Sequence, residues 1–510
     1  MIVRSGRRSK LYGLAAASML ALASAILFQG SKTDAALMAT EAVVGSDIAV
    51  LSLTGTAPLT PTLKWTYVPT TPTSTHNQVV CMPVVGDVNL DDVPDVVFST
   101  FEREENGWYQ DGVLRVVSGD DGDEVFSVTD PSLRVRPLSS PLIADLDNDG
   151  SPEIVVEGEE GGFYAFDNGG DLKHSSVPTF TLHPDEGSMP AVADLDGDGC
   201  PEIVVGRHVL DHTLSQVTTL GDGSDRLLSS IVGDVNLDGN LEVIAGNTIY
   251  SGTGGILFHN SSLPAQGTNA LGNFDADSYP EIVLVDPFHG GQVYLLDHQM
   301  KDVIWGPVPV PASGGIDYAN GGPPTVADLD GDGWPEIGIA GQYSYVVLDT
   351  DGTKLWQSPT QDHSSGFTGS SAFDFQGDGR AEIVYADEVA LRIYDGVDGK
   401  VLFETAHSSV TGYELPVIAD LDADGHAEII VVDNDVYTGA HTGVRVFEAE
   451  DDNWASARRL WHQHAYDITG VDDDLRVVTN PTPAWLLHNT FRSQRAALDA
   501  RVYLPVVARN

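Results

Sequence analysis

Acidic side chains at positions 1, 3, 5 and 9 of a nine-residue stretch recur eight times along this chain, a spacing that gathers hard oxygen donors around one cation. The pattern is fullest in Asp145, Asp147, Asp149 and Glu153, in Asp194, Asp196, Asp198 and Glu202, in Asp328, Asp330, Asp332 and Glu336, and in Asp420, Asp422, Asp424 and Glu428. Looser copies carry Asp87, Asn89, Asp91 and Asp95, then Asp234, Asn236, Asp238 and Glu242, then Asn273, Asp275, Asp277 and Glu281, and finally Asp374, Gln376, Asp378 and Glu382. Position 6 is usually Gly, which permits a tight turn. Position 7 ranges from Val93 to Trp334 and His426, so it is expected to contribute a backbone carbonyl. Such a shell suits Ca2+; Mg2+, with its stricter octahedron, ranks second. The closing acid at 9 rather than 12, and the strands on either side, separate the loop from an EF-hand.

A single Asp-Gly stretch would read equally well as a solvated turn. Eight copies in phase, holding 29 of the 75 acidic residues, favour structural Ca2+ in every loop, because close-packed carboxylates without a cation raise one another's pKa. Three loops depart from the pattern: Asp92 and Ser278 stand where Gly is expected, and Gln376 where Asp is.

Short β-branched runs flank each loop, such as Ala191 to Ala193 before and Ile203 to Val205 after, and they read as strands buried on both faces. A second pair of runs follows, as in Tyr345 to Leu348 and Lys354 to Trp356, joined by the hairpin signal Asp351-Gly352. Four strands per unit of roughly 40 to 50 residues match propeller blades, whereas solenoid repeats are shorter and carry one strand per turn. The expected fold is therefore all-β, an eight-bladed β-propeller of four-stranded blades, with seven blades as the alternative. Leu63 to Tyr67, which lacks a unit of its own, is expected to complete the last blade. The expected layout is a signal peptide at 1–40, a linker and closing strand at 41–82, the propeller at 83–460 and a tail packed on it at 461–510.

With 26 basic against 75 acidic residues the net charge is −49, which repels phosphate backbones and excludes nucleic acid as a partner. Arg4, Arg7, Arg8 and Lys10 precede an apolar run from Leu14 to Phe28, the arrangement of an export signal. Once it is removed, no later segment is long and apolar enough to span a membrane, so a secreted or cell-surface protein is expected. Only Cys81 and Cys200 are present, too few for a disulfide framework or a cysteine-rich zinc site. Neither Gly-x-Ser-x-Gly nor His-Glu-x-x-His occurs, and no catalytic residue is nominated. His462 and His464 could contribute to a transition-metal site, but two tail histidines more often serve structure.

Over roughly residues 60 to 460 these loops and strands resemble FG-GAP/VCBS repeats, the blades of the integrin α-subunit propeller and of many bacterial secreted proteins. The resemblance implies that the Asp-rich loop joins the first two strands of a blade and holds Ca2+ structurally, on Asp145, Asp147, Asp149, Glu153 and their counterparts. Eight copies, where integrins fold seven blades, are a departure. The tail, with Trp461 to Tyr466 and Trp485 to Arg492, is similar to a segment closing some bacterial members. Related propellers bind on the face opposite the acidic loops. Candidates there are Trp108, Tyr109, Phe288, His289, Tyr318, Asn320, His363, Phe367 and Tyr413, although aromatics at blade edges also pack structurally. The expected function is an extracellular binding or adhesion module for a glycan or protein, with Ca2+ structural. The alternative is a polysaccharide lyase or another carbohydrate-active propeller enzyme; quinone-dependent dehydrogenases share the hairpin but usually need adjacent cysteines.

Overall fold

The computed structural model describes residues 59–69, 73–103, 111–177, 187–221, 229–287, 290–311, 320–436 and 439–495. The expected signal peptide, Trp108, Tyr109, Phe288, His289, Tyr318 and the last part of the expected tail, 496–510, lie outside them.

Eight antiparallel sheets follow one another along the chain, one for each acidic loop, so the blade number is eight and not seven. Blade 6 is typical: Thr325–Ala327 lies innermost, then Glu336–Ala340, Ser344–Leu348 and Lys354–Pro359 outward. Inner strands are three to five residues long and, like the second strands, are buried throughout or nearly so, which is why their apolar runs do not alternate. Outer strands such as Val401–Ala406 carry exposed residues on their solvent side. Blade 1 adds a short fifth strand, His76–Gln78, against the far end of Asp95–Glu102.

The ring closes as a composite. Pro61–Tyr67 pairs antiparallel with Gly443–Ala449 and becomes the outermost strand of blade 8, whose other strands come from residues more than 350 positions later. Drawing one sheet from both sides of the repeat array ties the last blade to the first, so that neither terminal blade leaves a face unpacked.

One irregularity repeats in every blade. Where the outermost strand pairs with its neighbour, the register slips by one residue, just after the hairpin in blades 1 to 7 and at the equivalent position of blade 8, where no hairpin joins the two strands. The bulged residues are Val125, Lys173, Val217, Leu257, Ile304, Leu355, Leu402 and Lys64. A β-bulge sharpens the local twist, and the next residue is often an aromatic that reaches the following blade. The indole N–H groups of Trp65, Trp305 and Trp356 donate to the carbonyls of Gly119, Thr350 and Gly396, each in the next blade's hairpin. Gly399, at φ +70, lies against the Trp356 ring, where a Cβ would sit 2.3 Å from a ring carbon.

The tail fills the axis. Trp461 exchanges two backbone hydrogen bonds with Val85 of blade 1, and the His462 carbonyl accepts from Ile143 of blade 2. The Gln463 side chain accepts from Val192 of blade 3, and Trp485 lies against Gly233 of blade 4. Arg492 donates to the carbonyls of Asn269 and Pro324 in blades 5 and 6, Gln494 donates to Ala372 of blade 7, and the Arg458 carbonyl accepts from Asp420 at the end of blade 8's inner strand. All eight innermost strands thus meet residues 458–494, and backbone groups that would face an open channel find partners. His462 and His464 are fully buried here, and burial pushes His462 down to about 3, so both are neutral core residues.

Trp461, stacked on Tyr466 at 4.4 Å and without solvent exposure, is central to this plug. Trp461→Ala is expected to cost about 3–5 kcal/mol in urea unfolding; a loss under about 1 kcal/mol would show that the axis does not depend on it.

Candidate metal centres

Each acidic loop joins the first and second strands of its blade. Two hydrogen bonds recur in all eight. One oxygen of the position 9 carboxylate accepts from the backbone N–H of position 2, as in Leu329 to Glu336 at 2.6 Å and Leu146 to Glu153 at 2.8 Å. The N–H of position 7 donates to the position 5 carboxylate, as in Trp334 to Asp332 at 2.8 Å. The position 1 carboxylate accepts from the turn: Asp145 takes the N–H groups of Asp149 and Gly150. That turn needs a left-handed residue at position 6, met by Gly333 at φ +93 and also by Asp92 at φ +70. The loop at Asn273 is built differently, its side-chain amide donating to the Asp277 carbonyl.

Position 2 is a signal that sequence reasoning passed over. Val88, Leu146, Leu195, Val235, Phe274, Leu329, Phe375 and Leu421 stand there, all buried, and they anchor the loop to the core.

Pinning one oxygen of position 9 leaves the other to face the loop centre. Asp95 Oδ1 and Glu336 Oε1 are buried there with no hydrogen-bond partner among the described residues, and so is Asp420 Oδ1 at position 1. Burial pushes the Asp95, Glu202, Glu242 and Glu281 carboxyls up to about 7, Glu336 and Glu382 to about 8, and Glu428 to about 9. Neighbouring loop acids add to the shift in every case. A buried carboxylate oxygen without a donor calls for a positive charge.

Ligand oxygens converge within 4.8 Å in four loops: Asp145, Asp147 and Glu153; Asp194, Asp196 and Glu202; Asp328, Asp330 and Asp332; and Asp420, Asp422 and Glu428. In the other four loops no three acids come that close among the described residues. In blade 4 the Asn236 amide donates to Glu242 Oε1 and takes the free oxygen. The oxygen-only donor sets of blades 3 and 6 fit a hard divalent cation.

Two lysines that sequence reasoning did not connect to the loops reach into them. Lys173 Nζ lies 2.7 Å from Glu153, 2.9 Å from Asp147 and 3.4 Å from Asp149. Lys64 Nζ lies 2.5 Å from Asp422, 2.8 Å from Glu448 and 3.8 Å from Glu428. Burial disfavours each ammonium, but the carboxylates outweigh it and hold both lysines protonated above their usual range.

On the opposite face Asn320, His363, Phe367 and Tyr413 are described. His363 is exposed and tilts against Tyr343 at 4.8 Å, Asn320 donates to the Ser365 carbonyl, and Tyr413 bridges to Cys81 across the seam between blades 8 and 1. Cys81 is buried and Cys200 half-buried at position 7 of the blade 3 loop; both are free thiols. Among the described residues no helix is long and apolar enough to cross a membrane.

A family profile described as an FG-GAP-like repeat matches residues 145–205 and 374–431, and the chain carries such repeats on an eight-bladed propeller. No curated protein matches it in sequence. Among solved structures it is similar to the biofilm matrix protein Bap1 of V. cholerae, with a TM-score of 0.71 and 23% identity over 85% of this chain and 99% of that one. It is also similar to a rhamnogalacturonan lyase of Bacillus licheniformis, with a TM-score of 0.52 and 16% identity over 79% of this chain and 76% of the other. A second such lyase, the exotype enzyme YesX, gives a TM-score of 0.50 and 16% identity over 72% and 71%. At these identities the likeness is one of fold.

The raised carboxyls set a pH dependence. Free carboxyls ionise near pH 4, whereas these seven, when folded, do so at about 7 to 9. Between those ranges the folded chain binds more protons than the unfolded one, so their contribution to stability is greatest on the acid side and is lost as pH rises. A divalent cation in the loops would offset that loss, whereas the buried histidines act equally with or without it. The difference in Tm between divalent-loaded and chelated protein should therefore widen from pH 5 to pH 8; a constant difference would remove these acids as ligands.

Proposed function

We propose that this chain is an extracellular binding or adhesion module of the matrix type, a propeller ring braced by Ca2+ in its acidic loops and presenting the opposite face to a glycan or protein. The observation that carries the reading is the likeness to Bap1, which runs over 99% of that matrix protein's chain. The electrostatics agree: a ring with net charge −49 gains from divalent cations and is repelled by phosphate polymers. Ca2+ is favoured over Mg2+ because loops offering several carboxylates and backbone carbonyls supply the six to eight flexible oxygen ligands it takes. Export through the expected signal at 1–40 would bring the ring into millimolar calcium, where weak sites fill.

In the described loops the metal's work would be neutralisation. Asp194, Asp196 and Glu202, and likewise Asp328, Asp330 and Asp332, would hold it, and the Glu336 oxygen without a donor would gain a partner. No reaction is asked of the ion.

Chelation with EDTA at pH 8 is expected to lower Tm by many degrees, since each site held at 100 times its Kd adds about 2.7 kcal/mol. Glu336→Gln should lose part of that calcium increment while raising Tm in EDTA, because it neutralises a buried acid; an unchanged increment would remove blade 6 from the list. For the binding role, immobilised protein is offered uronate-rich and neutral polysaccharides. Saturable retention without new chain ends is expected, and release of unsaturated oligosaccharides would replace this reading with a lyase.

A further inference from the structure

Blades 2 and 8 differ from the other six at one position. The bulged residue of the outermost strand is aliphatic in six blades, namely Val125, Val217, Leu257, Ile304, Leu355 and Leu402, and is lysine only at Lys173 and Lys64. The sheet register makes these positions equivalent, although Lys173 follows its loop by 20 residues and Lys64 comes more than 350 residues before its own. Each lysine contacts the position 3 and position 9 acids of its own blade's loop, through Asp147 and Glu153 or through Asp422 and Glu428. Each of these loops also has an arginine of the tail near its position 1 acid: Arg476 at 3.9 Å from Asp145, and Arg459 at 3.5 Å from Asp420. One lysine and one arginine carry the two positive charges of a divalent ion, distributed over the same acids.

We propose that Lys173 and Lys64 are resident cations that take the place of calcium in blades 2 and 8, so that these two loops stay neutralised when calcium is withdrawn. A lysine ammonium is a compact charge with three donors on a flexible stem, suited to a pocket of converging carboxylates. The placement has a consequence for the ring. Blade 8 is the blade built from segments on both sides of the repeats, and Lys64 lies on the strand that closes it. Its pairing with Asp422 and Glu448 ties that strand to the loop and to Gly443–Ala449 without a metal. Closure is thus independent of calcium, while blades such as 3 and 6, which have no lysine at the bulge, depend on it.

The inference rests on the reading of the acidic loops as calcium sites, and the test separates the two. Bound calcium per full-length chain is counted by equilibrium dialysis and elemental analysis for the wild type, Lys173→Leu, Lys64→Leu and Leu355→Lys. Leu is what sister blades carry at the bulge, which favours correct folding. Each lysine replacement is expected to add one bound ion, and Leu355→Lys to remove one. A wild type binding several ions whose count none of the variants alters would overturn the lysine role and leave calcium standing; a wild type binding none would overturn both. Hydrogen exchange in EDTA gives a second readout. Amides of Pro61–Tyr67 should stay protected while those of the blade 3 and blade 6 loops lose protection, and equal loss across all of them would contradict a metal-free latch.

Discussion

The structure depends on one arrangement made eight times: a carboxylate at the start of the second strand, buried, with one oxygen held by a backbone N–H seven residues earlier. That bond closes the loop between the two innermost strands and so fixes the register of the part of each blade that meets the axis. It also creates a debt of charge. The second oxygen, too buried for water to solvate well, must be met by a cation, a proton or an amide, and different blades use different means. In blade 4 it is Asn236, in blades 2 and 8 a lysine reaches the acid, and in blade 6 the oxygen of Glu336 has no partner among the described residues.

The second constraint is geometric. A ring of eight wedges leaves inner strands whose axis-side hydrogen-bonding groups face a channel, and a first and a last blade that must be tied together. Both problems are solved by segments outside the repeats. Pro61–Tyr67 completes the last sheet, and residues 458–494 cross the axis, where they hydrogen-bond at the inner strands of seven blades and pack Trp485 against that of blade 4. Fully buried polar side chains in that plug, His462 and His464 among them, are kept neutral by burial and pack within it. Residues 458–494 are thereby coupled to every blade, which makes closure a property of the whole ring.

Much of this was legible in the order of residues. The eight acidic loops, the strands around them, the Asp-Gly hairpins and the closing role of Leu63 to Tyr67 all rest on local pattern: period, turn residues and β-branched runs. The assignment of acids at positions 1, 3, 5 and 9 to one loop centre also rests on spacing, and in four loops three of those acids do converge. Less legible was that the loops are unequal. Nothing near Asp420 in sequence announces Lys64, and nothing in the spacing of Asp234 indicates that Asn236 will turn its amide toward Glu242. The apolar residue at position 2 was visible in every copy, but its meaning, an anchor that lends its N–H to the closing acid, needed the folded loop.

By itself, then, the order of residues determined a repeating unit, its number and the oxygen donors each unit offers, because turns, strands and loop ligands are set by neighbours within about ten positions. Tertiary structure alone decided which loops already contain a positive charge and how the tail meets each inner strand at the axis. Those outcomes depend on side chains brought together from positions hundreds of residues apart, and the free energy of such meetings belongs to the closed ring and to no single repeat.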